Sequence, residues 1–244
     1  MSKNKTLLVV GASSDVGQAY IREYSDRFDH IIGTYYNGKE ISEALSKEIG
    51  DTYTGYRLDL TNIEEIETFG KQLCENGVIP NYVLFLSARK TNMVRLTEVS
   101  LQEVELDFFV EVESLLLLMR TFVPHMRDQR FGRICIMLSS VTKSPTGFNC
   151  SYMVSKHALL GLMRASAAEL ASDGITVNAV SPTMIDTKFI SDASPLAVKK
   201  NISSSPLKRL AKVDEIIEPI AFLLDDKNSY MTGQNILISG GRRS

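Results

Sequence analysis

The chain has 244 residues, a formal net charge of −2, 44% hydrophobic and 23% charged residues. That is the composition of an ordinary soluble protein, long enough for one large α/β domain or two small ones and for a core that needs no covalent staples. The near balance of charge gives no electrostatic case for a nucleic acid or a membrane surface as partner. Cys74, Cys135 and Cys150 form no CxxC pair, which reads as reduced thiols with no metal site, and the apolar runs near Met1 and at Leu115 to Met119 are too short for a signal peptide or a membrane span; a cytoplasmic protein is expected.

Taken in order, Thr6 to Val10 is a β-prone apolar run that stops at Gly11, and a helical stretch follows from about Asp15 to Arg27. The next strand is read at His30 to Tyr35, with helical spacing at Glu40 to Ile49. A third strand, Thr52 to Leu58, precedes a helix at Ile63 to Glu75. Tyr82 to Ser87 is the fourth strand, and a long helix covers Leu106 to Arg127. Arg133 to Ser139, a helix from Tyr152 to Ser172, and a strand at Ile175 to Val180 come next. Asp214 to Leu224 is a late helix and Asn235 to Ile238 the last strand. Strands alternating with helices imply a parallel sheet with helices on both faces, here a three-layer Rossmann fold on a mostly seven-stranded sheet. No repeat or linker divides the chain, so one domain over residues 1–244 is expected. Its Ser- and Pro-rich stretch at about 183–212 lacks periodicity and reads as an irregular loop or a lid over a substrate.

Two regions carry chemistry. Gly11, Ala12, Ser13, Ser14, Asp15, Val16 and Gly17 follow the first strand and open the first helix. Glycine there lets backbone approach a pyrophosphate, the helix N-terminus offers free N–H groups, and Ser13 and Ser14 add possible donors. Asp59, at the end of the third strand, either accepts from an adenine amino group or caps the next helix, a task for which Thr61 or Asn62 is better suited. The end of the second strand, Tyr35 to Lys39, holds no acid, which permits a 2′-phosphate and so NADP(H), with NAD(H) as the alternative; Lys39 is placed to help.

The second region is Tyr152 and Lys156, four apart on one helix face. A free phenol titrates near pH 10, and a neighbouring ammonium favours its phenolate. Such a pair can serve as general acid and base toward a carbonyl or alcohol oxygen. Tyr35 and Lys39 repeat the pattern by accident. Tyr152 differs in opening a helix just after a strand that ends at Ser139 and Ser140, where a hydroxyl can meet the substrate oxygen.

With these segments in place the chain resembles the classical short-chain dehydrogenase/reductase family along nearly its whole length, including its 3-oxoacyl-ACP reductase-like members. The resemblance also takes in Val177 to Pro182, Ile185 to Thr187, Met231 to Gln234 and Gly240-Gly241. It implies an enzyme in which Tyr152 moves the substrate proton, Lys156 binds the nicotinamide ribose and Ser140, rather than Ser139, orients the carbonyl. It further implies cofactor contacts at Tyr35, Asp59, Leu60, Ser87, Ala88, Pro182, Ile185 and Thr187, and a homotetramer or homodimer. The long helices around Ser114 to Met119 would form one interface, unless that stretch faces the sheet. Several positions depart from the family pattern. Asp15 replaces the middle glycine, Leu86-Ser87-Ala88-Arg89 stands for Asn-Asn-Ala-Gly, and Thr183 follows the proline. Glu111 aligns with the catalytic asparagine, which holds a water behind the lysine. Glu111 can accept from such a water, hold Lys156 charged while offsetting its effect on Tyr152, be a structural glutamate, or align there only through a local misalignment by one turn. The resemblance therefore implies NADP(H)-dependent hydride transfer between the nicotinamide and a carbonyl or alcohol substrate. A nucleotide-binding scaffold or sensor with little turnover is the alternative. The mixed polarity of the 183–212 stretch leaves sugar-like, fatty-acyl, steroid-like and secondary-metabolite substrates open.

Overall fold

The computed structural model describes residues 4–90 and 93–242. Seven parallel strands form one sheet in the order β3-β2-β1-β4-β5-β6-β7. They are β1 (Thr6–Val10), β2 (His30–Tyr35), β3 (Tyr53–Arg57), β4 (Tyr82–Phe85), β5 (Gly132–Met137), β6 (Ile175–Pro182) and β7 (Asn235–Ile238). Every residue of β1, β4 and β6 is buried, which is why β1 and β4 read as mainly apolar runs: a parallel strand covered on both faces has no solvent side to make polar.

The helices are α1 (Asp15–Tyr24), α2 (Lys39–Ile49), α3 (Ile63–Glu75), α4 (Leu101–Phe108), α5 (Ser114–Gln129), α6 (Cys150–Leu170), α7 (Pro195–Ser204) and α8 (Asp214–Leu223). On one face of the sheet Ile66, Phe69, Leu115, Phe122, Leu159 and Met163 pack from α3, α5 and α6. On the other face Tyr20, Ile21, Leu45, Ile216 and Ile220 pack from α1, α2 and α8. The expected three-layer Rossmann fold is therefore present. Connections leave β1 in one direction and β4 in the other, so a crevice opens at the carboxyl ends of these two strands, where ligands of such sheets bind.

Two expectations need correction. The helix predicted over Leu106 to Arg127 starts earlier and is not uniform: α4 runs into a π-helical turn at Phe109–Glu113 before α5. One extra residue is accommodated there, and Val110, Glu111 and Val112 all become buried, a shift that a 3.6-residue period does not reveal. Along the Ser114 to Met119 stretch Ser114, Leu115, Leu118 and Met119 are buried and only Leu116 is exposed, so most of it faces the interior.

The 183–212 stretch is not irregular throughout. It contains α7, whose first turn is capped by Ser194, the hydroxyl accepting from Ala197 N at 3.2 Å, with Pro195 at the first helical position. None of the α7 residues is buried, so no apolar stripe marked it in the sequence. Both ends of the stretch are held, since Asp186 N donates to Ala211 O and Ala211 N to Met184 O.

Candidate active site

Gly11 leaves β1 with φ +91°, in the left-handed region that glycine tolerates. Gly17 lies so close to the same loop that a Cβ on it would come within 2.6 Å of Gly11 O. Ser14 locks the turn: its hydroxyl donates to Gly11 O at 2.8 Å and accepts from Gly17 N at 3.0 Å. That hydroxyl serves the loop itself, as the N-cap of α1, rather than standing free for a phosphate. The N–H groups of Asp15 and Val16 have no acceptor among the described residues, as expected for the first turn of a helix. This cradle fits a pyrophosphate by its backbone. Asp15 does not point its charge at that cradle without a partner; its carboxylate accepts from Lys188 N, at 2.6 Å, in the segment after β6.

Beside the cradle, Ser13 packs against Gly38, where any Cβ would sit 2.2 Å from Ser13 Cβ. That contact fixes the β2–α2 turn carrying Tyr36 and Asn37. Lys39 opens α2 and pairs with Glu43 at 3.7 Å, both side chains exposed. Tyr35 and Lys39 lie on a strand end and a helix start, so their spacing has no helical meaning. The residue missed in the sequence is Arg57. Parallel pairing sets it opposite Tyr35, its guanidinium lies 5.0 Å from the centre of the Tyr36 ring, and it pairs with Glu65 at 3.6 Å. The signal was available only by aligning β3 against β2. Asp59 holds its own turn, Oδ1 accepting from Thr61 N at 2.9 Å and from Thr61 Oγ1 at 2.7 Å. Asn62, not Asp59, caps α3, accepting from Glu65 N at 3.2 Å. Leu60 is half-buried beside it.

The second group of predicted residues gathers around the end of β5. Ser139 is extended, its hydroxyl accepting from Val141 N at 3.4 Å. Ser140 starts a short 3-10 turn and is buried. Tyr152 and Lys156 lie in the first two turns of α6, with Lys156 Nζ 5.5 Å from the centre of the Tyr152 ring. Lys156 is only 1% exposed. Its ammonium donates to Met137 O at 3.3 Å and pairs with Glu111 Oε2 at 3.1 Å. The π-helical turn is what brings Glu111 inward, and Ser155 Oγ donates to the same oxygen at 3.1 Å. Burial pushes the Glu111 carboxyl above the usual carboxylate range, against the pull of Lys156.

Arg89 follows Ser87 and Ala88 at the end of β4. It is turned toward α4, pairing with Asp107, which is 1% exposed, at 2.8 Å. Ser151 Oγ closes on the other Asp107 oxygen. The Val177 to Pro182 and Met231 to Gln234 segments hold each other: Asn178 Nδ2 donates to Met231 O at 2.8 Å, Gln234 N to Asn178 Oδ1 at 3.0 Å and Val177 N to Thr232 Oγ1 at 3.1 Å. These polar residues are architectural. They seat β7 against β6, whose end at Pro182 leads to Ile185 and Thr187.

Comparison with known proteins agrees with this arrangement. A family model described as enoyl-(acyl carrier protein) reductase matches residues 11–243. The chain is 29% identical over 239 residues to the 3-oxoacyl-[acyl-carrier-protein] reductase FabG of Buchnera aphidicola, covering 98% of this chain and 97% of that protein. It is 30% identical over 244 residues to an uncharacterised oxidoreductase, YmfI, of Bacillus subtilis, covering 98% of each. Among solved structures, a double mutant of a Serratia marcescens short-chain dehydrogenase/reductase superposes with a TM-score of 0.88 at 25% identity, covering 98% of both chains. The chain belongs to the short-chain dehydrogenase/reductase family and is an NAD(P)-dependent oxidoreductase.

Proposed function

We propose that the protein is an NADP(H)-preferring reductase that transfers a hydride between the nicotinamide and a carbonyl or alcohol substrate. The observation that carries this reading is the Tyr152–Lys156 pair, with the lysine buried and held at the sheet edge that also bears the Gly11–Gly17 cradle. In this reading the backbone of Gly11, Ser13, Ser14, Asp15, Val16 and Gly17 receives the pyrophosphate. Tyr35, Asp59 and Leu60 line the adenosine, while Ser87, Ala88, Pro182, Ile185 and Thr187 flank the nicotinamide half. The acid-free end of β2, with Arg57 stacked on Tyr36, supports a 2′-phosphate over a bare ribose. NADPH held there would supply the hydride. Tyr152 then gives its hydroxyl proton to the carbonyl oxygen, Ser140 orients that oxygen by a hydrogen bond, and the Lys156 ammonium steadies the phenolate that remains.

The 183–212 segment acts as the substrate lid of a single domain spanning 1–244. It is tied across the cleft by Asp15 to Lys188 N and by Lys90 Nζ to Asp192 Oδ2 at 2.6 Å. Exposed apolar side chains on α5, α6 and α8, namely Leu116, Val154 and Phe222, support a homodimer or homotetramer. No described helix is long and apolar enough to cross a membrane, in keeping with a cytoplasmic enzyme acting on a small molecule.

A second reading has one specific observation behind it. The carboxylate on Lys156 offsets the charge that favours the phenolate, which suits a nucleotide-binding scaffold or sensor of the same fold. Tyr152→Phe separates the two. On a panel of ketones and β-keto thioesters with NADPH, wild-type protein should turn over, whereas the variant should lose at least about a hundredfold in kcat and keep its NADPH affinity. Unchanged turnover in the variant would remove Tyr152 from the chemistry, and an inert wild type would favour the scaffold.

A further inference from the structure

The buried Lys156–Glu111 ion pair departs from the family pattern. The family pattern sets a neutral side chain at this position, and a neutral amide cannot offset a charge. Here Glu111 and Lys156 are each 1% exposed and 3.1 Å apart. The groups facing the pair come from every element around it. Met137 O at the end of β5 and Ser155 Oγ on α6 donate or accept within it. Tyr152 lies beside Lys156 on α6. One turn before Glu111 on α4 is Asp107, whose own charge is matched by Arg89. Lys156 is thus the cation beside the phenol, and Glu111 is the carboxylate whose charge bears directly on Lys156.

We propose that Glu111 is a positioning residue that holds Lys156 through this ion pair and thereby raises the pH at which Tyr152 gives up its proton. The proposal rests on the assignment of Tyr152 as the proton donor. The sign follows from charge: an ammonium favours a phenolate, and a carboxylate beside that ammonium weakens the effect. Tyr152 then keeps its proton to higher pH than it does with a neutral residue at position 111. That serves carbonyl reduction, which needs the phenol, and works against alcohol oxidation, which needs the phenolate.

The test is an ultraviolet titration of phenolate absorbance on the full-length protein, each form read as a difference against its own Tyr152→Phe counterpart. Removing the carboxylate in Glu111→Gln should move the Tyr152 midpoint down by about one pH unit, and Glu111→Asp should restore it toward wild type. Glu111→Asn is the second neutral variant, to be read if Glu111→Gln does not give a cooperative thermal melt. In turnover assays the basic limb of kcat/KM for carbonyl reduction should move by the same amount. Midpoints that coincide with wild type, or that move upward in the folded neutral variant, would overturn the proposal. Because the titration needs no turnover, an inert wild type whose midpoint still shifts would dismiss the reductase reading and keep the role of Glu111. An active enzyme with no shift would do the reverse.

Discussion

Lys156 and Asp107 are buried ions, each 1% exposed, and each is tolerated because an opposite charge meets it. Taking an ion out of water carries a penalty of several kcal/mol, repaid only where partners are close and well aligned. Lys156 has Glu111 and Met137 O; Asp107 has Arg89 and Ser151. The Asp107 group explains why an arginine stands where the family has glycine, since its task is to neutralise a buried acid rather than to meet a ligand. Truncating Arg89 to alanine should therefore strand the Asp107 charge and lower stability by about 3 kcal/mol. Urea denaturation at neutral pH measures this, and a loss within about 0.5 kcal/mol, the range of ordinary surface substitutions, would show that the pair does no such thing. Arg57 belongs to the same scale. It was invisible in a reading that followed β2 alone, because the stack on Tyr36 exists only once β3 is registered against β2.

Among the elements, α8 shows how a helix start is secured without a side chain at the N-cap. Val213 occupies that position and makes no capping bond. Instead Glu215 reaches back, accepting from Lys212 N at 2.8 Å and gripping Arg209 with both oxygens, the nearer contact 2.5 Å. These bonds hold its carboxyl down at about 2. A carboxyl whose value is lower in the folded chain stabilises the fold above its unfolded value of about 4.3 and loses that contribution as the pH falls through its folded value. The wild type should thus lose melting temperature between about pH 4.3 and pH 2 more steeply than Glu215→Gln. Parallel melting curves for the two across that interval would mean that the grip has no energetic weight.

At this scale the sequence was legible where burial is uniform. The strands appeared in the expected order, with the glycine turn at the end of β1 and Tyr152 and Lys156 in the first turns of a helix. It was illegible where the determinant lies elsewhere in the chain. The π-helical turn that swings Glu111 onto Lys156 obeys no sequence period, and α7 buries nothing that would mark its face.

Over the whole molecule, the two clusters of residues proposed as functional arise from distant parts of the chain, yet both lie on one edge of a single sheet. Parallel strands deliver every strand end and every following helix start to that edge. The cradle comes from β1 and α1, the Tyr152–Lys156 pair from α6 behind β5, and the proposed lid from the segment after β6. The segment proposed as a lid is tied to the cradle by Asp15 and to the loop after β4 by Lys90. A dinucleotide lying along the edge would touch all of these parts and bind only the folded chain, so its affinity should add directly to the stability of the fold.

The most direct measurement is a thermal-shift titration of wild type and Arg57→Gln with NADPH and NADH side by side. At a hundredfold excess over the dissociation constant a ligand specific to the folded state adds roughly 2.7 kcal/mol. NADPH should therefore raise the wild-type melting temperature well above NADH at equal concentration, and Arg57→Gln should bring the two together. A wild type that responds to neither dinucleotide would contradict the account at its centre, and equal responses to both would remove the preference for NADP(H) and the role given to Arg57.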